Sequence, residues 1–445
     1  CAAYKSEKVE KEKYTTFDYI TEEQKRTENG VRDRDIKYVD TLMSGIKLKR
    51  SILNKSKCED LSEGVYGVIR KRFDKLPRKQ VLYYGKKHGV SENALFIAAF
   101  NYCISMYSDE DEVFVNSIHS GRTDSRWNRI VGPLFETYYC KYDKVSHEKV
   151  EKLLKRTGKQ IMETMKCLTS CPRQGEMFLQ FQGDILETPQ IGGENTERMH
   201  IQLDSLPFHL QVMYDDNGYY AELRFWENRF DKKLLEIFLD VFESILLAML
   251  DETSVRCLKE HLPQEVYPKH YYVNVSKLNK AAGSKIISEE QSDEQIKVYV
   301  LDDDYSKKPY GAWGKVYIMD YEPINCAKIV QYPYGEGVLY DTGIIGRILP
   351  DGTIDFLENA GRTVLTDGIH GRKYYDLKLL EKYILEYGGV KDAECYLAYD
   401  PEINEMSLYA DIKTDSAQID IAGLKEFVRD KAGDDVFLKN VEIVQ

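Results

Sequence analysis

Residues 110–122 read EDEVFVNSIHSGR, and this stretch organises the first half of the chain. Its centre, VFVNSI, is an apolar run of strand length entered from the acidic turn Ser108 to Glu112. Immediately upstream, Ser91 to Met106 reads SENALFIAAFNYCISM, a Ser-Glu N-cap signal followed by apolar residues at helical spacing, which predicts a buried helix.

The same alternation of helix and strand continues outward. A second helix is predicted from about His147 to Met165 and a strand at Met177 to Gln182. Phe208 to Tyr214 and Tyr219 to Trp226 alternate around Asp216-Asn217-Gly218, the best local turn signal in the chain, and predict a hairpin. Leu234 to Leu250, LLEIFLDVFESILLAML, predicts a mostly buried helix. Together these elements predict a layered α/β (α+β) domain over residues 1–252.

Residues 253–297 change character. They hold no sustained period, contain Pro263, Pro268, an Ala-Ala-Gly-Ser stretch and the run SEEQSDE, and predict a linker. Short strands separated by Pro and Gly turns follow within 298–362. A small α/β unit is predicted over 363–445, with helices near Tyr375 to Tyr387 and Ile421 to Ala432 and strands at Cys395 to Tyr399, Met406 to Ile412 and Leu438 to Val444.

At 445 residues the chain exceeds one ordinary core, so two or three domains are expected. A formal charge of -12 argues against a nucleic-acid surface, which needs clustered Lys and Arg. The charges of Lys5 to Lys13 alternate in sign and predict a solvated face. The longest strongly apolar stretch, Ile245 to Leu250, is far shorter than the roughly 20 residues that span a bilayer. No signal-peptide pattern is read. Nine cysteines lie singly, without CxxC pairs or His partners at zinc spacing, so neither a disulfide framework nor a metal is expected, and a cytoplasmic setting is.

Three motifs carry a resemblance. EDEVFVNSIHSGR, together with YTTFDYITEEQ (Tyr14 to Gln24) and IVGPLFETYYCKYD (Ile130 to Asp143), resembles in order and spacing the condensation domain of nonribosomal peptide synthetases. The resemblance covers roughly residues 14 to 250 and corresponds to the C-terminal lobe of a chloramphenicol-acetyltransferase-like fold. It implies amide bond formation between aminoacyl or peptidyl groups tethered to carrier proteins by phosphopantetheine. The implied partners are those carriers and adjacent synthetase domains, with no nucleic acid, membrane or metal. It also implies that Ser120, Gly121, Arg122, Glu136 and Thr137 line the substrate channel. Arg122 either pairs with a carboxylate to hold two lobes together or is solvated.

The chain departs from the family's pattern at its chemistry. The catalytic signature His-His-x-x-x-Asp-Gly supplies a histidine that positions or deprotonates the attacking amine. It is expected upstream of residue 14, and no His-His pair occurs in the sequence, so the catalytic residues are unknown. Two further family segments are not found between Met162 and Phe178, and Glu136 stands where the family has Asn. His200 and Asp204 have the spacing that related acyltransferases use, but no Gly follows and the lobe is the wrong one, so a half-exposed strand residue is expected. His119 is expected to be structural.

The second half resembles the end of an adenylation domain of the adenylate-forming family. VYVLDDDYSKKPYGAWGKVYI (298–318) keeps Gly311 and Gly314, and VLYDTGIIGRILPDGTIDFLENAGR (338–362) keeps Tyr340, Thr342, Gly343, Asp351, Gly352, Gly361 and Arg362. The family's Asp after Thr-Gly, which accepts hydrogen bonds from the ribose of ATP, is here Ile344, which accepts nothing. Thr342, Gly343, Ile344 and Arg362 therefore form a nucleotide-site remnant. The hinge Asp is Val364, and no phosphate loop occurs, so ATP is not expected to bind and no cofactor is held directly. The resemblance implies a fragment of a synthetase module with a silent adenylation remnant. The alternative is a degenerate docking or scaffold module.

Overall fold

The computed structural model describes residues 12–55, 65–122, 124–130, 132, 134–145, 147–167, 177–183, 190–191, 194–195, 206–251, 254–268, 271–282, 285–291, 293–319, 323–324, 326, 328–357, 363–368, 371–403, 405–414, 419–434 and 436–444. In chain order the first unit begins with helices α1 (Thr16–Glu28) and α2 (Val31–Met43), strands β1 (Lys47–Leu48) and β2 (Tyr66–Arg72), and helices α3 (Arg78–His88) and α4 (Glu92–Ser108). Strands β3 (Glu112–His119) and β4 (Glu136–Asp143), helix α5 (Val150–Thr164) and strands β5 (Met177–Gly183), β6 (Gln190–Ile191) and β7 (Glu194–Asn195) follow. Strands β8 (Phe208–Asp215) and β9 (Gly218–Trp226) and helix α6 (Lys232–Leu250) complete it.

The second unit comprises β10 (Tyr272–Asn274), α7 (Val275–Ala282), β11 (Gln295–Leu301), β12 (Gly314–Ile318), β13 (Lys328–Gln331), β14 (Val338–Ile348) and β15 (Ile354–Phe356). The third comprises β16 (Thr363–Gly368), β17 (Gly371–Asp376), α8 (Leu377–Leu385), β18 (Val390–Asp400), β19 (Glu405–Thr414), α9 (Ile421–Ala432) and β20 (Leu438–Ile443).

Helix α4 is apolar on every side because it lies between layers. The Ser91 hydroxyl caps it by accepting the Ala94 N–H (3.1 Å), and Asp109 ends it in the left-handed region. Ala94 to Ile104 meet α5 and α6 on one side and the sheet on the other, so no stripe is left for water. The six-stranded sheet runs β2-β9-β8-β5-β3-β4, with β3–β5 and β5–β8 parallel and the remaining pairs antiparallel. Phe73, Phe96, Phe100, Phe208, Phe238 and Phe242 interlock between sheet and helices in edge-to-face, stacked and tilted pairs.

The segment read from sequence as a linker is packed structure. Val255, Leu258, Leu262 and Val266 enter the core of the first unit, and Tyr271, Val273, Val275, Leu278, Ile286 and Ile287 build that of the second. Its helical elements are short: Val255–His261 and Gln264–Val266 are tight 3-10 turns separated by Pro263, and α7 has only 8 residues, so no sustained 3.6-residue period marks the segment. The second unit's antiparallel sheet, β10-β11-β12-β14-β13 with β15 on β14, begins before residue 298, because β10 pairs with β11.

Buried polar contacts join the second unit to the first. Trp313, fully buried, donates its indole N–H to the Ser51 carbonyl (2.9 Å). Beside it Arg347, also fully buried, binds the Asp355 carboxylate (2.9 and 3.2 Å), the Asn54 side-chain oxygen (3.0 Å) and the Asn54 carbonyl (2.9 Å). Lys308 reaches the Met106 carbonyl (2.9 Å) and Asp109 (2.7 Å) at the end of α4.

The third unit has sheet order β1-β18-β19-β20, so a strand from near the start of the chain closes its edge. Close to that strand stands Glu110, whose carboxyl accepts the Lys49 N–H (3.3 Å). Burial pushes Glu110 up to about 7, against the attraction of Arg50 and Lys49 and with help from Asp109. A folded value above the ordinary 4.5 means that this group's contribution to stability is complete below pH 4.5 and is lost as pH rises through 7. Glu110→Gln keeps the acceptor and cannot ionise. Its stability relative to the parent should therefore rise between pH 4.5 and 8, as read by denaturant midpoints at each pH.

Candidate functional site

The five positions expected to line a channel lie together at one end of the β3–β4 ladder. The last registered pairs are Ile118 with Thr137 and His119 with Glu136, and Ser120, Gly121 and Arg122 leave the strand directly beyond. Gly121 has φ +68°, and a Cβ there would sit 1.5 Å from the Leu134 carbonyl oxygen, so only glycine fits. Ser120 is exposed, and Glu136 and Thr137 are half-buried.

Arg122 follows neither sequence expectation. Its guanidinium donates to three backbone carbonyls, Ser120 (2.9 Å), Ile130 (3.0 Å) and Gly132 (3.2 Å), and so closes the loop between β3 and β4. The same loop meets α1: Tyr19 and Tyr14 stack edge to face on Trp127 (5.5 and 5.8 Å), beside Ile130 and Leu134. The three motifs that carry the first resemblance are thus neighbours in space.

His119 accepts the Gly121 N–H at Nδ1 (3.1 Å), which leaves the proton of the neutral ring on Nε2. Burial lowers its pKa to about 4, so the ring is neutral at physiological pH. Nε2–H is buried without a hydrogen-bond partner among the described residues. With its lone pair already engaged, this imidazole offers a donor and not a base. His200, Asp204 and Arg362 lie outside the described residues, as does Gly361.

A polar row on the face of the sheet turned away from α4 had not been singled out in the sequence. His209 Nε2 meets Gln180 Oε1 (3.1 Å), which also accepts from Gln211 (3.2 Å); one strand further, Glu222 joins Arg70 (2.8 Å) and Arg224 (2.8 Å). Phe178 lies edge-on to His209 at 5.1 Å. His209, Gln211 and Glu222 are buried, each at 4 to 6% exposure. Burial alone would raise the Glu222 pKa, but hydrogen bonds from Arg70 and Arg224 bring it below the usual carboxylate value. The signal was available: in FHLQVMY and YYAELRFW every second residue is polar or faces this side.

Thr342, Gly343 and Ile344, expected from the sequence to be a nucleotide-site remnant, lie where β14 packs a core. Between the registered pairs Tyr317 with Asp341 and Lys315 with Ile345, residues 342, 343 and 344 oppose Val316 alone, a bulge that Gly343 permits at φ +72°. The Thr342 hydroxyl donates to the Val316 carbonyl (2.7 Å) and receives the Ile344 N–H (3.3 Å). Ile344, 5% exposed, packs among Val298, Val316, Ile318 and Phe356. Val364 lies in β16.

A cavity of about 280 Å³ separates the first and second units, lined by Tyr102, Tyr142 and charged residues. Its charges satisfy one another: Lys259 with Asp302 (2.5 Å) and Asp304 (3.1 Å), Arg256 with Asp304 (3.1 Å), Lys308 with Asp109 (2.7 Å), Lys144 with Asp111 (3.1 Å). It is therefore a charged seam. Among the described residues, no group of three or more His, Cys, Asp or Glu could hold a metal ion, and no helix is long and apolar enough to cross a membrane.

Comparison with known proteins agrees with the first of the two resemblances. The condensation-domain family model matches residues 1–167. Surfactin synthase subunit 3 of Bacillus subtilis (strain 168) is 35% identical over 106 residues, which is 22% of this chain and 8% of that protein. The crystal structure of holo-AB3403, a four-domain nonribosomal peptide synthetase bound to AMP and glycine, superposes with a TM-score of 0.56 at 10% identity. That match covers 93% of this chain, which spans 56% of that structure. Residues 1–167 thus match the condensation-domain model, within a mixed α/β chain whose fold superposes on part of a nonribosomal peptide synthetase.

Proposed function

We propose that this chain is part of a synthetase module whose first unit takes part in condensation. In that reaction the amine of one carrier-bound group attacks the thioester carbonyl of another; the C–N bond forms, the C–S bond breaks, and the amine's proton leaves with the thiol. The observation that carries the reading is the condensation-domain match over residues 1–167. In this reading Ser120, Glu136 and Thr137 border the path of the phosphopantetheine arms, Arg122 keeps the loop in shape, and the polar row from Gln180 to Arg224 lines the sheet face. No residue of this sequence is assigned as the catalytic histidine, and residues 298–445 are, in this reading, an adenylation remnant that holds no ATP.

The test uses a chain extended upstream through an intact His-His-x-x-x-Asp-Gly signature, supplied with two loaded carrier proteins. Amide product is expected. An extended chain that carries the signature, binds carriers and forms no product would overturn the catalytic reading. It would leave the docking or scaffold module, which the buried joint at Trp313 and Arg347 favours.

A further inference from the structure

The third unit meets the rest of the molecule through α2, where Tyr399 donates to Asp40 (2.9 Å), through an apolar cluster that takes in Phe114 and Tyr139 of the first unit's sheet, and through the short segment that follows α2. Residues 44–54 follow α2 and touch all three units in turn. On the first unit, Lys141 donates to the Ser44 carbonyl (3.1 Å) while pairing with Glu112 (3.0 Å), and Arg50 donates to the Ser108 carbonyl (2.7 Å) at the end of α4. On the second, Ser51 and Asn54 are the partners of Trp313 and Arg347. On the third, β1 pairs antiparallel with β18 (Lys47 with Ala398, Leu48 with Leu397). Lys47 also binds Asp411 (2.9 Å) and lies 4.0 Å from the Tyr396 ring centre, and Lys49 binds Glu394 (2.8 Å).

We propose that residues 44–54 are a strap that clamps the C-terminal unit onto the condensation-like unit in one orientation, with Lys47 and Lys49 as its releasable end. The two ends differ physically. Ser51, Ile52, Leu53 and Asn54 are buried, and Ser51 and Asn54 are bonded to the buried Trp313 and Arg347, so this end stays fixed as long as the fold does. At the other end only two residues join the ladder, and their ion pairs keep contact with water: the Lys47 side chain is 40% exposed and that of Glu394 45%. Such pairs are weak one at a time and screened by salt. Behind them, Val39, Met43 and Ile46 share an apolar cluster with Leu397, Leu408 and Leu438, which gives the clamped state its preferred seat. Together these contacts form a seat closed by an ionic catch. The inference concerns docking of the units and is independent of whether the first unit condenses anything.

The experiment is hydrogen exchange of the peptide spanning 394–400 in the full chain. Lys47→Glu/Lys49→Glu should speed exchange there by about tenfold or more, leaving peptides around Trp313 unchanged. Adding Asp411→Lys and Glu394→Lys re-creates both pairs in reverse and should restore protection. Unchanged exchange in the double variant, or faster exchange that the reversed pairs do not correct, would overturn the proposal. If the double variant fails to fold, the fourfold variant decides: it folds with protection restored if the pairs hold the unit, and fails alike if they do not.

Discussion

Asp355→Ala should destabilise the fold by roughly 3–5 kcal/mol. The substitution leaves the fully buried Arg347 guanidinium without the carboxylate it is bonded to, while its bonds to Asn54 hold it in place. A charge so placed cannot reach water without opening the joint between the first and second units, because Trp313 lies against it, 4.7 Å from ring centre to guanidinium carbon. The control is Arg347→Met/Asp355→Leu. It removes both charges and should cost less than Asp355→Ala alone, because the charges' mutual attraction is largely offset by their desolvation. Denaturant midpoints of the three proteins order the outcomes. A midpoint for Asp355→Ala at the parent's value would mean that Arg347 finds water and that the joint is looser than its geometry.

How much of this was legible in the sequence follows from the range of each interaction. Helix α4, strand β3 and the β8–β9 hairpin were readable because their signals are local: Ser91 caps its own helix, and Asn217-Gly218 turns its own strands. The joint was not readable. Trp313 finds Ser51 across 262 positions and Arg347 finds Asn54 across 293, and no periodicity links them. Strand β1 is two residues long and pairs with a strand about 350 positions away, so nothing in Lys47-Leu48 marks it.

The site was half legible for the same reason. Gly121, Arg122, Glu136 and Thr137 could be named from motif order, but the work of Arg122 depends on where the Ile130 and Gly132 carbonyls turn, which is loop geometry. The part of the row formed by His209, Gln211 and Glu222 was present in the alternation of β8 and β9. It went unnoticed because a polar strand residue ordinarily faces water, whereas Gln211 and Glu222 are buried here.

Ile344→Asp introduces the residue expected at this position from the resemblance to adenylate-forming enzymes and should nonetheless damage the protein. The bulge at Gly343 turns position 344 into the apolar cluster of Val298, Val316 and Phe356. An aspartate there forfeits roughly 2 kcal/mol of apolar burial, and its carboxyl must then be desolvated without a partner or be protonated, adding roughly 1–3 kcal/mol. The expected result is a loss of about 3–5 kcal/mol in chemical denaturation, shrinking at low pH, where the carboxyl enters the core uncharged. No ATP-dependent pyrophosphate exchange should appear in parent or variant, since one ribose acceptor supplies neither the phosphate loop nor the orientation that binding needs. Exchange activity in the variant would mean that the bulge can turn residue 344 outward and that the proposed remnant is a dormant site. An unstable, inactive variant would mean that isoleucine occupies this position because the strand now packs a core with it.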